Sequence, residues 1–79
     1  MILGQFLRKL NSIGMTIKTD SMKVVVLDMA EQEAYAEVSR EEEAEATYYL
    51  PAYQLPKGSR RDLFFDAVDE YAKTPIEKR

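Results

Sequence analysis

The side chains with the most evident chemical potential are the carboxylates of an acidic run, Glu41, Glu42, Glu43 and Glu45. Two carboxylates can perform general acid and base catalysis when their environments separate their pKa values. Four acids this close in sequence are instead typical of a solvated turn. A calcium loop would need alternating oxygen ligands around a glycine, which this run lacks. We therefore predict an exposed charged turn, with no catalytic residue and no metal site.

The composition removes other chemistry. The 79-residue chain contains no His and no Cys, so it has no thiol nucleophile, no imidazole base and no thiolate or imidazole metal ligand. Its formal net charge is −3, but residues 29–55 carry seven Glu against a single Arg, a local charge of −6. We predict a non-enzymatic protein without a cofactor, and an acidic middle that attracts a basic protein partner.

A basic cluster, Lys57, Arg60 and Arg61, precedes and begins a predicted helix. Cations oppose the helix dipole there, so two interpretations are open. The arginines could pair with the acidic run or with aspartates one turn along the helix. Alternatively, with the first backbone amides, they could bind a phosphate group, which would make a nucleic-acid-associated domain the alternative function. The predicted order of helix, three strands and helix resembles the double-stranded RNA-binding domain, although that family's broad lysine run is missing.

Tyrosines concentrate in the predicted strands. Tyr48 and Tyr49 must point to opposite faces of a strand, and the same alternation places Tyr35 opposite Ala34 and Ala36. If the helices cover one face, we expect Tyr35 and Tyr49 to be partly exposed on the other. With Tyr53 they would form a partner-binding patch, since tyrosine suits recognition surfaces. Ordinary cross-strand stacking is the other interpretation.

Periodicity predicts the elements that carry these residues. Apolar residues at three- and four-residue spacings predict a helix over 2–13, ended by Gly14, and a second over 59–73 with Ser59 as N-cap. Strands are predicted at about 15–19, 23–28, 34–39 and 45–50, with Pro51 and Pro56 ending regular structure. The segment 29–45 would also allow a helix. Residues 74–79 form a tail with a Thr, Pro and Glu pattern typical of a helix start.

These elements form a single domain over residues 1–79, because a chain of this length has room for one modest core. The fold class is α+β with two layers: an antiparallel sheet of three to four strands, and both helices on one face. An uncovered sheet face on so small a core favours a homodimer. The longest apolar run, Val24–Leu27, is far too short to cross a bilayer, and the N-terminus does not have the order of a signal peptide. We expect a cytoplasmic location.

The C-terminal third resembles a known group of proteins. Leu50-Pro51, then Phe64, Phe65 and Val68, then the ending Glu70-Tyr-Ala-Lys-Thr-Pro-Ile-Glu-Lys-Arg79 are similar to the ends of small accessory proteins of phages and prophages in Gram-positive bacteria (Firmicutes). The resemblance implies a phage-encoded protein of the bacterial cytoplasm and no particular activity. It implies no catalytic residues. Separately, we expect this protein to bind a host or phage protein through the outer sheet face and the acidic turn.

Overall fold

The computed structural model covers residues 1–79 and contains an antiparallel sheet and two long helices. In chain order the elements are α1 (Leu3–Asn11), β1 (Met15–Thr19), β2 (Lys23–Asp28), β3 (Ala34–Ser39), β4 (Ala46–Tyr48), α2 (Leu50–Tyr53), α3 (Ser59–Lys73) and a final 3₁₀ turn (Ile76–Lys78). The segment 29–45, for which a helix was the alternative, therefore contains a strand and two turns. The predicted α+β class and four-strand arrangement are confirmed.

The sheet is a meander in which each strand pairs antiparallel with the next, in the order β1-β2-β3-β4. Both long helices pack on the same face, α1 over β1 and α3 over β3 and β4. The core lies between the layers, where Phe6 of α1 stacks on Tyr71 of α3 with ring centroids 4.3 Å apart. The strands supply alternate residues to this core: Met15, Val24, Val26, Ala36 and Val38. The opposite face, hereafter the outer face, has no helix over it.

A β-bulge in β3 overturns the prediction for Tyr35. Val26 of β2 faces Ala36, but the next residue, Leu27, faces Ala34, so Tyr35 is an extra residue in the strand. A bulge interrupts the alternation of side chains. Tyr35 therefore turns to the helix side, where it is 7% exposed and meets Phe64 edge to face at 5.8 Å. The predicted pairing of Tyr35 with Tyr49 on the outer face is wrong.

One strand end and one helix cap were also predicted wrongly. The fourth strand ends at Tyr48, and Leu50 instead begins the one-turn helix α2, with Pro51 in its first turn. Proline suits this position because its fixed φ is helical and the first amides of a helix need no partner. At α3, Ser59 is the first helical residue and Gly58 is the N-cap, with φ at 147° and no side-chain cap. Glycine tolerates this backbone conformation, which side chains disfavour.

The tail is tied to the rest of the molecule by Arg79. Its guanidinium donates to the carbonyl oxygens of Ser39, Ala72 and Thr74, and it lies 5.1 Å from the centre of the Tyr71 ring. The Ala72 carbonyl belongs to the last turn of α3, whose final C=O groups have no partner within the helix, and Thr74 is the C-cap residue that follows it. The third belongs to β3. Arg79 therefore joins the helix end, the tail and the sheet.

Candidate functional site

The outer face carries a polar network formed by Tyr49, Glu37 and Lys23. The Tyr49 hydroxyl donates to Glu37 Oε2 at 2.6 Å, and Lys23 Nζ lies 3.4 Å from the same oxygen. The hydrogen bond from Tyr49, aided by Lys23, holds the pKa of Glu37 below its ordinary value against the opposing effect of partial burial. The same bond raises the pKa of Tyr49. Glu37 is therefore a fixed, ionised acceptor at neutral pH.

A groove of about 650 Å³ lies beside this network. Its lining includes three carboxylates, Asp20, Glu37 and Glu45, and one cation, Lys23. Asp20 accepts hydrogen bonds from the backbone amides of Met22 and Lys23 at 2.7 and 2.9 Å, and these bonds lower its pKa. The carboxylates of Asp20 and Glu37 are thus both oriented by the fold and ionised. The remaining lining residues are Met22, Ser39, Ala44, Ala46 and Thr47.

The predicted acidic turn, residues 40–45 (hereafter the acidic hairpin), is exposed at every position. Ser39 Oγ accepts bonds from the amides of Glu41 and Glu42, which shapes the turn. The exposed Glu43 carboxylate accepts a hydrogen bond from the Ile76 backbone amide at 3.3 Å. The structure therefore separates the four predicted glutamates. Glu45 lines the groove, Glu43 forms a hydrogen bond with the C-terminal tail, and Glu41 and Glu42 are exposed at the surface.

The basic cluster serves packing roles that neither sequence interpretation anticipated. Arg60 Nε donates to the carbonyl of Ile13 at 2.7 Å, in the turn where α1 ends, and the Arg61 guanidinium lies 5.6 Å from the centre of the Phe65 ring. Neither arginine forms an ion pair with a carboxylate, so the predicted pairing with acidic residues is wrong. Lys57 is exposed and has neither an ion-pair nor a side-chain hydrogen-bond partner. Phosphate binding here stays a prediction, with one unengaged cation to support it.

Tyr53 lies apart from Tyr49, in an aromatic cluster at the β4 edge of the molecule. Tyr53 is 57% exposed, and its ring lies 6.4 Å from Tyr48 and 6.1 Å from Phe65. Burial, followed by the charge of Asp69, raises the pKa of Tyr48. The three tyrosines predicted as one patch therefore occupy three environments: the core, the outer face and this edge.

Sequence reasoning missed the groove residues Asp20, Lys23 and Glu37. They come from the β1–β2 turn, β2 and β3, and they meet only because Val25 pairs with Glu37 and Lys23 with Ser39. The alternating pattern of β3 does place Glu37 on the face opposite Val38, which is a usable signal. The sequence pattern does not predict the register between the strands. That register places Lys23 diagonally across from Glu37, within reach of its carboxylate.

Comparison with known proteins adds no assignment to this site, because no protein-family model, curated protein or solved structure matches the chain. None of the helices combines the length and apolar character needed to span a membrane. The site is therefore interpreted from its own geometry.

Proposed function

We propose that this protein is a non-enzymatic interaction module that binds a basic segment of a protein partner in the outer-face groove, next to the acidic hairpin. The observation that carries the proposal is the groove itself, which has three carboxylates against one ammonium group. Two of those carboxylates are held in place by Tyr49 and by backbone amides before any partner arrives. Preorganised polar groups reduce the ordering cost of binding.

The surrounding charge supports a basic partner. Glu41 and Glu42 are exposed beside the groove, and residues 29–55 carry a local charge of −6. A field of one sign accelerates encounter with an oppositely charged surface and disfavours acidic partners. On the resemblance of its C-terminal third, we propose that the partner is a host or phage protein and that the module acts in the bacterial cytoplasm.

Charge reversal in the groove tests this function. We expect affinity capture from a host extract at moderate salt to recover a partner with the wild-type protein but not with Glu45→Lys. Glu31→Lys is the matched control, because Glu31 is exposed in the turn after β2, outside the groove, and the change in net charge is identical.

The captured partner is then purified and its affinity is measured directly. Glu45→Lys should weaken binding by about tenfold or more, since like charges brought together at an interface cost several kcal/mol. Equal affinities for the wild-type protein, Glu45→Lys and Glu31→Lys would contradict the proposal, because the groove would then not be the contact surface.

A further inference from the structure

The sheet has two edge strands, β1 and β4, and they are not equally protected. β4 has three residues and leads directly into α2 with its Pro51. β1 has five residues, pairs with β2 without any bulge, and contains no proline. Natural proteins usually protect edges with short strands, bulges, prolines or charges. Of these devices β1 has only the charge of Lys18.

The hydrogen-bonding pattern shows which backbone groups of β1 are unused. Asp20 N–H donates to the Lys23 carbonyl, and Met29 N–H donates to the Gly14 carbonyl, both at 3.0 Å. In an antiparallel pair, bonded and non-bonded residues alternate, so Thr16 and Lys18 are the residues bonded to β2. The intervening residues are Met15, Ile17 and Thr19. Their N–H and C=O groups point away from β2 and have no other backbone partner. These three residues are hereafter the open edge.

The open edge is complementary to itself. An antiparallel pairing of two copies about Ile17 sets Ile17 opposite Ile17 and Met15 opposite the partner's Thr19. All three donors and all three acceptors of each copy are then used, which gives six hydrogen bonds. On the outer face the same register sets Thr16 opposite the partner's Lys18, so no two like charges lie directly opposite each other.

An apolar flank accompanies the open edge on the helix side. Lys9 of α1 forms an ion pair with Glu70 of α3 at 3.7 Å, so the side of α1 that carries Lys9 faces α3. Leu7 lies about 160° around the helix from Lys9 and therefore faces away from α3, on the side of the open edge. Leu7 is half-buried and lies outside the core cluster, and Ile17 of the open edge is half-buried against that cluster. A second copy would cover both side chains.

We infer that the protein forms a two-fold symmetric dimer through its open edge, in which β1 pairs antiparallel with the partner's β1 about Ile17 and creates a continuous eight-stranded sheet. The groove runs from the β1–β2 turn to the acidic hairpin, and none of its lining residues belongs to the open edge. Dimer formation is therefore independent of the proposed function, and groove variants such as Glu45→Lys should leave it unchanged.

Charge substitutions at Thr16 test this register, because Thr16 lies opposite the partner's Lys18. Thr16→Lys places a lysine opposite the partner's Lys18 twice per dimer, and Thr16→Glu places an acid there twice. We expect the first to weaken and the second to tighten the dimer, each changing the dissociation constant by about 2- to 30-fold. The double variant Thr16→Lys with Lys18→Glu should tighten the dimer as Thr16→Glu does, because it again sets opposite charges against each other twice per dimer. Thr47→Lys and Thr47→Glu are matched controls, because Thr47 is exposed on the outer face of the other edge strand.

Sedimentation velocity from micromolar to millimolar protein measures the association, and hydrogen exchange by NMR reads out the open edge. The amides of Met15, Ile17 and Thr19 should exchange slowly in the dimer and fast on dilution. A monomer at every concentration overturns the inference. So does a dimer in which these amides stay unprotected, or in which the Thr16 variants behave like the Thr47 controls. Protection of the open edge only after capture of an unrelated peptide would overturn it in favour of a different occupant.

Discussion

Replacing Tyr35 tests the bulge that separates this structure from the simple strand pattern. A tyrosine side chain has about 150–250 Å² of surface, and at about 25 cal/mol per Å² its burial contributes about 4–6 kcal/mol. Tyr35 is 7% exposed, so nearly all of that applies, less an allowance for a compact unfolded state. We expect Tyr35→Ala to lower the free energy of unfolding by about 3–5 kcal/mol.

This loss is a large share of the total, because a 79-residue domain has about 4–12 kcal/mol of stability. Two milder variants keep the test informative if Tyr35→Ala does not fold. Tyr35→Leu retains most of the apolar volume and should cost about 1–2 kcal/mol. Tyr35→Phe should cost less than about 0.5 kcal/mol, since no protein group bonds the hydroxyl and its oxygen is not a buried, unsatisfied atom.

Urea unfolding followed by circular dichroism gives these free energies from the midpoints at constant slope. Tyr49→Ala is the comparison on the outer face, with an expected loss of about 1 kcal/mol for its bond to Glu37. If Tyr35→Ala costs less than Tyr49→Ala, the side chain of Tyr35 lies on the outer face, and the argument from the bulge fails.

Two further predictions concern charged groups. Because the pKa of folded Glu37 lies below its ordinary value of 4.5, the stabilisation it provides is complete above that pH and is lost as the pH falls through the folded value. Urea midpoints between pH 7 and 3 should fall less steeply for Tyr49→Phe than for wild type, whereas identical slopes would exclude the Tyr49 bond as the cause. Separately, Arg79→Ala should cost about 2 kcal/mol by removing three hydrogen bonds to backbone carbonyls, while Lys78→Ala, an exposed neighbour without a side-chain partner, should be neutral in the same unfolding assay.

The parts of the fold that depend on local pattern could be predicted. The apolar spacing of α3 predicted a helix over residues 59–73, the β-branched valine run predicted β2, and alternation predicted β3. Tyr35 could not be placed, because a bulge depends on how two strands fit together and leaves no mark on one strand alone. For the same reason the groove was missed: Asp20 and Glu37 are 17 positions apart, and only the register joins them.

The partners of Arg60 and Arg61 were predicted wrongly for a different reason. From the sequence, Arg60 and Arg61 were expected to have charged partners, either acidic side chains or phosphate. The structure gives Arg60 a backbone carbonyl and Arg61 an aromatic ring. A guanidinium has five donors and a flat surface, so neutral carbonyls and rings compete effectively for it at a helix end.

The bulge also determines where β3 can lose one residue without losing its pairing with β2. Ala34 and Ala36 both face residues of β2 in register, so removing Tyr35 would leave the pairs on either side intact and restore simple alternation. A deletion at another position in β3 would instead turn part of the strand over and bring Val38 or Ala36 to the outer face, unless the bulge absorbed the change. Position 35 is therefore where a one-residue gap is expected when related sequences are aligned. The cost of such a gap is the loss of a single aromatic side chain from the core rather than the loss of the sheet.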